Sequence, residues 1–108
     1  IAMIENIVSV KNLEQLIQTR GLDAVLIGPY DLSASMNITG KFNNPKFKSA
    51  IREIKKLSRR YKIPCGIHII EPKHNILKKY IKLGYQFLPY SADTILLNTA
   101  LKKSFNKK

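Results

Sequence analysis

The stretch Ala24-Val25-Leu26-Ile27-Gly28-Pro29-Tyr30-Asp31-Leu32-Ser33 decides how the chain is read. Four apolar residues stop abruptly at a Gly-Pro pair, the pattern of a short buried strand that runs into a turn. A connection of about a dozen residues follows before Asn44-Pro45, longer than the usual ~4–6, and long connections tend to carry function. Gly28 at the strand end would let a ligand approach the backbone, and the amides after it can point at an anion as a small nest. An acidic residue in the same loop, Asp31, can hold a cation that bridges to the anion's other oxygens.

Working outward, the same unit repeats. An apolar run over Ile1 to Ile4 precedes apolar residues at Val10, Leu13, Leu16 and Ile17, which share one helical face, and Gly21 ends that helix. After the Gly-Pro loop, Asn44 caps and Pro45 opens a helix to about Tyr61, with Phe47, Ala50, Ile51, Ile54, Leu57 and Tyr61 inward. Ile63-Pro64 leads into a third strand, Cys65 to Ile70. Pro72 starts a helix that buries Ile76, Leu77, Tyr80 and Ile81 and stops at Gly84. Gln86 to Tyr90 reads as a fourth strand interrupted by Pro89, which belongs at an edge or strand end. Asp93 caps a last helix with Ile95, Leu96, Ala100, Leu101 and Phe105 on its buried side, and Lys107-Lys108 is expected to fray. Strands alternating with helices predict an α/β unit, (βα)4, with a parallel sheet. Residues 1–108 form a single unit, either a small open sheet or half of an eight-stranded barrel, and periodicity does not separate the two.

Composition narrows the function. The 108 residues are 44% hydrophobic and 24% charged, as in one globular domain. No apolar stretch approaches the roughly 20 residues of a membrane span, so no membrane association is expected. The opening Ile1-Ala2-Met3-Ile4-Glu5 meets a carboxylate too early for a secretory signal. The single cysteine, Cys65, excludes an internal disulfide and a multi-cysteine zinc site, and a reducing cytoplasm is the expected setting. Ile1 is not an initiator methionine, so the chain is expected to be processed or a piece of something longer. The net charge of +12 is uneven, −2 up to Asp31 and +14 beyond it. The 15 lysines fall mainly on outward helix faces with no interleaved aromatics and no named module, so nucleic acid is not the expected partner. No predicted strand contains the lysine a Schiff-base mechanism needs.

In a parallel α/β unit the functional edge is the carboxyl end of the strands, where Glu5, the loop Gly28 to Ser33, Glu71 and Ser91 to Asp93 emerge. Glu5 and Asp31, at the ends of adjacent strands, would be brought within roughly 5 Å of lateral spacing. Mg²⁺-like ions are held by one or two carboxylates plus water and substrate oxygens, which fits this pair; solvated strand-end residues or helix caps are the other reading.

Several segments together resemble one family. These are Ile4-Glu5, Val10-Lys11-Asn12-Leu13, Gly21-Leu22-Asp23-Ala24 and above all Ile27-Gly28-Pro29-Tyr30-Asp31-Leu32-Ser33-Ala34-Ser35. Gly66-Ile67-His68, Leu83-Gly84-Tyr85-Gln86-Phe87 and Ser91-Ala92-Asp93 continue the match. The chain resembles the metal-dependent class II pyruvate aldolases of the 4-hydroxy-2-oxoheptanedioate and 2-dehydro-3-deoxyglucarate aldolase type, the HpcH/HpaI family. The resemblance implies a TIM (βα)8 barrel of which this chain is strands five to eight with their helices. It implies a divalent metal, Mg²⁺ or Mn²⁺ with Co²⁺ or Zn²⁺ as alternatives, on Glu5 and Asp31, 26 residues apart. It also implies that pyruvate chelates the metal while amides of the Gly28-Pro29-Tyr30-Asp31 loop hold its carboxylate. The reaction implied is cleavage of a 4-hydroxy-2-oxo acid to pyruvate and an aldehyde through a metal-stabilised enolate.

The family's catalytic Arg, and its His held by an Asp, belong to the first half of the barrel and have no counterpart here, so no catalytic residue is assigned to this chain. Met3 stands where the family usually has Gln, and His68 where an aliphatic residue often lines the acceptor pocket, which suggests a polar aldehyde. The implied partners are a small oxo acid and either further copies of the chain, as in the family's hexamers, or a complementary half-barrel chain. A non-catalytic half-barrel that binds a metal or oxo acid, or serves as a subunit beside a first-half chain, is the alternative. His68 itself reads either as a barrel-interior strand residue or as acceptor-pocket lining. Ser33 and Ser35 read as ligand contacts or as partners of local backbone, Asp93 as a helix cap, His74 as solvated and Cys65 as buried and inert.

Overall fold

Three short strands, β1 (Ala2–Ile4), β2 (Val25–Ile27) and β3 (Cys65–Ile67), form a parallel sheet in the order β1-β2-β3 in a computed structural model that describes residues 1–105. The expectation for Lys107-Lys108 lies outside the described residues. Six helices accompany the strands: α1 (Ile7–Lys11), α2 (Leu13–Ile17), α3 (Pro29–Ser35), α4 (Pro45–Arg60), α5 (His74–Lys82) and α6 (Asp93–Phe105). No helix among the described residues is long and apolar enough to cross a membrane.

The register places Ala2, Val25 and Cys65 in one row, Met3, Leu26 and Gly66 in the next, and Ile4, Ile27 and Ile67 in the third. Because side chains alternate across a strand, the first and third rows share a face. That face holds the core, where Ile4, Val25, Ile27, Cys65 and Ile67 meet Val10, Leu13 and Ile17 of α1 and α2, Leu32 of α3, and Phe47, Ala50, Ile54 and Leu57 of α4. Each such aliphatic side chain contributes about 1.5–3 kcal/mol on burial. The opposite face carries Met3, 48% exposed, half-buried Leu26, and Gly66, which is buried under the Phe87 ring. Parallel sheets are ordinarily covered on both faces, so a one-faced parallel sheet is consistent with part of a barrel.

The fourth expected strand is absent as a strand. Residues 86–90 make only two parallel bridges to the β3 side, Gly66 with Phe87 and Ile69 with Tyr90. The Ser91 N–H donates to the Ile69 carbonyl, and the donor two residues earlier would fall on Ile67; that residue is Pro89, which has no N–H. For the same reason β3 stops at Ile67 rather than Ile70, with Ile69 returning as an isolated bridge.

Other boundaries also shift. The first helix is two helices, because Asn12 (φ −102°, ψ 13°) ends α1 and begins α2, and α1 starts at Ile7, where Asn6 Oδ1 accepts from Val8 N at 2.8 Å. The stretch read as a loop after β2 contains α3, with Gly28 as its cap and Pro29 at its first position. α5 begins at His74, not Pro72, because a tight turn closes between Glu71 and Lys73 (N–H to carbonyl, 2.7 Å). Its expected inward residues are half-buried at Ile76, Leu77 and Tyr80 and exposed at Ile81. The largest departure is α6: none of its residues is buried, Leu97 is 63% and Phe105 82% exposed, and Leu96, Ala100 and Leu101 face solvent. It has no sheet face to pack on, since the segment before it is not a full strand. The radius of gyration, 15.5 Å, accordingly exceeds the ~13 Å of a compact domain of this length.

Candidate active site

The carboxyl ends of the three strands bring Glu5, Gly28 and His68 into one row. Gly28 N donates to the Ile4 carbonyl at 3.2 Å and His68 N to the Ile27 carbonyl at 3.1 Å, which extends each ladder by one step. The row follows Ile4, Ile27 and Ile67, so it belongs to the uncovered face with Met3, Leu26 and Gly66. Glu5 lies directly over Gly28: a β-carbon on Gly28 would come within 2.9 Å of Glu5 Cγ and 3.1 Å of Oε1. Gly28 has φ −94°, which any residue adopts, so its backbone does not demand glycine; the space a side chain would fill is taken by the Glu5 side chain.

Asp31 sits in the first turn of α3, exposed, three residues past Gly28. Among the described residues neither Glu5 nor Asp31 has an ion-pair partner, the ion pairs being Lys56–Glu53, Arg60–Glu14 and Lys73–Glu71. No group of three or more His, Cys, Asp or Glu side chains suited to a metal occurs among the described residues. A metal at this edge would thus take at most two protein carboxylates and complete its shell with water or ligand oxygens, the habit of Mg²⁺ and similar hard ions.

Pro29, Tyr30 and His68 help to line a cavity of about 130 Å³, to which Phe42, Glu71 and Tyr80 also contribute. Tyr30 is held edge-on to Phe42 (5.0 Å between centroids), which leans on Phe47 (5.3 Å). His68 Nε2 lies 2.9 Å from the Ser91 carbonyl oxygen. A carbonyl only accepts, so Nε2–H is the donor of that bond. Of the residues expected at the site, the structure brings Glu5 to Gly28, and Pro29 and Tyr30 to His68. It shows no bond between Glu5 and Asp31.

The loop serines take their backbone reading. Ser33, fully buried, donates to the Tyr30 carbonyl (2.8 Å) and accepts from Gly40 N (3.0 Å). Ser35 donates to the Leu32 carbonyl (2.7 Å) and accepts from Ile7 N (2.9 Å). Ser33 thus braces the segment after β2 internally, and Ser35 ties that segment to the start of α1 just beyond Glu5, which anchors the two carboxylate-bearing segments to each other. Serine bonding back to a carbonyl three residues earlier is the local signal that identifies this role. Two features carried no signal in the sequence. Ser91 is buried at φ +63° with its hydroxyl unpartnered, and the Phe87 ring lies over Gly66, where a β-carbon would fall 2.5 Å from it. Asp93 opens α6 as its first residue, with Oδ1 accepting from Thr94 N at 2.7 Å. Cys65 is buried, and burial pushes its thiol above the ordinary value, as expected of an inert cysteine.

The family model for HpcH/HpaI aldolase/citrate lyase matches residues 1–100. The chain is 37% identical over 101 residues to the 4-hydroxy-2-oxo-heptane-1,7-dioate aldolase of Escherichia coli, a match that covers 93% of this chain and 37% of that protein. Its fold superposes on the HpcH/HpaI aldolase of Desulfitobacterium hafniense DCB-2 with a TM-score of 0.86 at 26% identity, covering 96% of this chain and 40% of the other. An HpcH/HpaI aldolase/citrate lyase family protein of Burkholderia cenocepacia J2315 gives a TM-score of 0.87 at 24% identity, covering 97% and 40%. The chain thus spans well under half the length of these relatives. With the Gly-Pro-Tyr-Asp-Leu-Ser loop heading α3 and Glu5 folded onto it, the chain belongs to the HpcH/HpaI aldolase/citrate lyase family.

Proposed function

We propose that this chain is strands five to eight of a TIM-barrel class II pyruvate aldolase and carries the metal and pyruvate-carboxylate half of its active site. The reaction is cleavage of a 4-hydroxy-2-oxo acid to pyruvate and an aldehyde. The observation that carries the reading is Glu5 lying on Gly28 at the head of the loop that bears Asp31, two unpaired carboxylates on adjacent segments at the carboxyl edge of a parallel sheet.

Glu5 and Asp31 would hold one divalent cation, Mg²⁺ or Mn²⁺ by the hardness of the donors. Bound there, the cation supplies a Lewis acid for the substrate's keto oxygen. The chain's own residues bind and orient. The Tyr30 and Asp31 amides, in the first turn of α3 with no carbonyl one turn back, offer donors to the substrate carboxylate. His68, its Nε2–H fixed on Ser91, supplies a second polar ring nitrogen, Nδ1, on the acceptor-aldehyde side and favours a polar aldehyde. The proton relay and the stabilising Arg come from the first half of the barrel. The uncovered sheet face supports a complementary half, in the same polypeptide or another, and further copies of the chain as partners.

The test is Mn²⁺ binding in the presence of oxalate, followed by the free-ion electron paramagnetic resonance signal. Asp31→Ala is expected to weaken binding by about 100-fold or more, whereas Asp93→Ala leaves it unchanged. Equal losses in the two variants would misplace the site.

A further inference from the structure

At the opposite, amino-terminal edge of the sheet, a cleft of about 400 Å³ opens between the last turns of α4, the start of β3 and the turn at Gly84 to Gln86. Its charged lining is all cationic. Lys55, Arg59 and Lys62 contribute cations, and among the described residues none of them pairs with a carboxylate. Gln86 Oε1 accepts from Cys65 N at 3.0 Å, which fixes the amide and leaves its NH₂ group as a donor. The Ser58 hydroxyl is 2% exposed, lines the cleft and has only the weak thiol of Cys65 as a side-chain partner.

Helix dipoles draw cations to a helix C-terminus, but that does not account for this arrangement. The last carbonyls of α4 are taken by backbone N–H groups of Tyr61, Lys62 and Ile63. Lys62 itself stands at φ +57°, where glycine or asparagine closes a helix at lower cost. Lys55 is fixed by its bond to the Leu83 carbonyl (2.6 Å) and lies 4.7 Å from the centroid of the Tyr85 ring. Burial, and then the neighbouring Arg59 charge, pull its ammonium below the ordinary lysine value. The cations repel each other across a cleft that supplies no counter-charge.

We propose that this cleft binds a phosphate-class oxyanion, held by Arg59 and Lys62 with Lys55, Ser58 and the Gln86 amide completing the donor set. A tetrahedral oxyanion takes several donors at once, and charge-assisted hydrogen bonds are the strongest available to it. The site owes nothing to the aldolase reading, since it lies at the other end of the strands and uses none of its residues.

The test is equilibrium dialysis of labelled inorganic phosphate against the full chain in chloride buffer of about 0.15 M, where diffuse attraction is screened. One saturable site per chain is expected. Arg59→Gln with Lys62→Gln should weaken it by roughly tenfold or more, and Lys11→Gln with Lys102→Gln should leave it intact. Ser58→Ala should weaken binding about threefold without lowering the melting temperature, because the hydroxyl it removes has only a weak thiol partner in the free fold. Tighter competition by glycerol 3-phosphate would assign the site to phosphomonoesters, and equal or weaker competition to free phosphate. No saturable binding, or equal losses from the two double variants, would overturn the proposal.

Discussion

Gly28 is glycine because Glu5 occupies the volume a side chain would need. The sequence marks Gly28 as a special position but points to ligand access, whereas the structure shows a carboxylate seated on it. A Gly-Pro pair after an apolar run announces a turn and says nothing about which side chain crosses from the neighbouring strand. The geometry makes Gly28→Ala informative. Its backbone tolerates alanine, so the fold should persist, while Glu5, a flexible side chain, must swing away. Mn²⁺ affinity is expected to fall by about tenfold with an unchanged circular dichroism spectrum. Unchanged affinity would remove Glu5 from the ligand set.

Among the elements, α4 was fully legible, because Phe47, Ala50, Ile54 and Leu57 repeat at helical spacing and Asn44-Pro45 marks the start. α3 was not. Its residues, Gly, Pro, Asp and Ser, are turn formers, and the same Pro that signals a turn also suits the first position of a helix. The split between α1 and α2 at Asn12, and the broken pairing around Pro89, follow from single residues whose effect depends on which neighbour they face. α6 shows the other limit: its apolar residues promise a buried side, yet none is buried here. A helix without packing depends on propensity alone and opens easily. Native-state hydrogen exchange should therefore find the α6 amides from Leu97 onward exchanging far faster than those of α4 around Ile54. Equal protection in the two helices would mean that α6 is covered in solution.

At the level of the whole molecule, one sheet face holds the core and the other carries Met3, 48% exposed, with half-buried Leu26 and Phe87, while among the described residues the outer edge of β1 is unpaired. Alternating strands and helices made the α/β class legible in the sequence. The exposed face was not, because the same apolar runs suit an open sheet or a barrel wall. Uncovered edges and apolar patches invite association. The sedimentation mass at about 0.15 M salt, where the +12 charge is partly screened, should rise with concentration above 12.3 kDa. A constant 12.3 kDa with a single cooperative melt would instead indicate a self-contained sheet. The proposed metal site between β1 and α3 is tested most directly by anomalous diffraction at the manganese edge from crystals of the chain grown with Mn²⁺ and oxalate. A peak is expected about 2.0–2.5 Å from one carboxylate oxygen each of Glu5 and Asp31. A peak on other residues, or none, would contradict it.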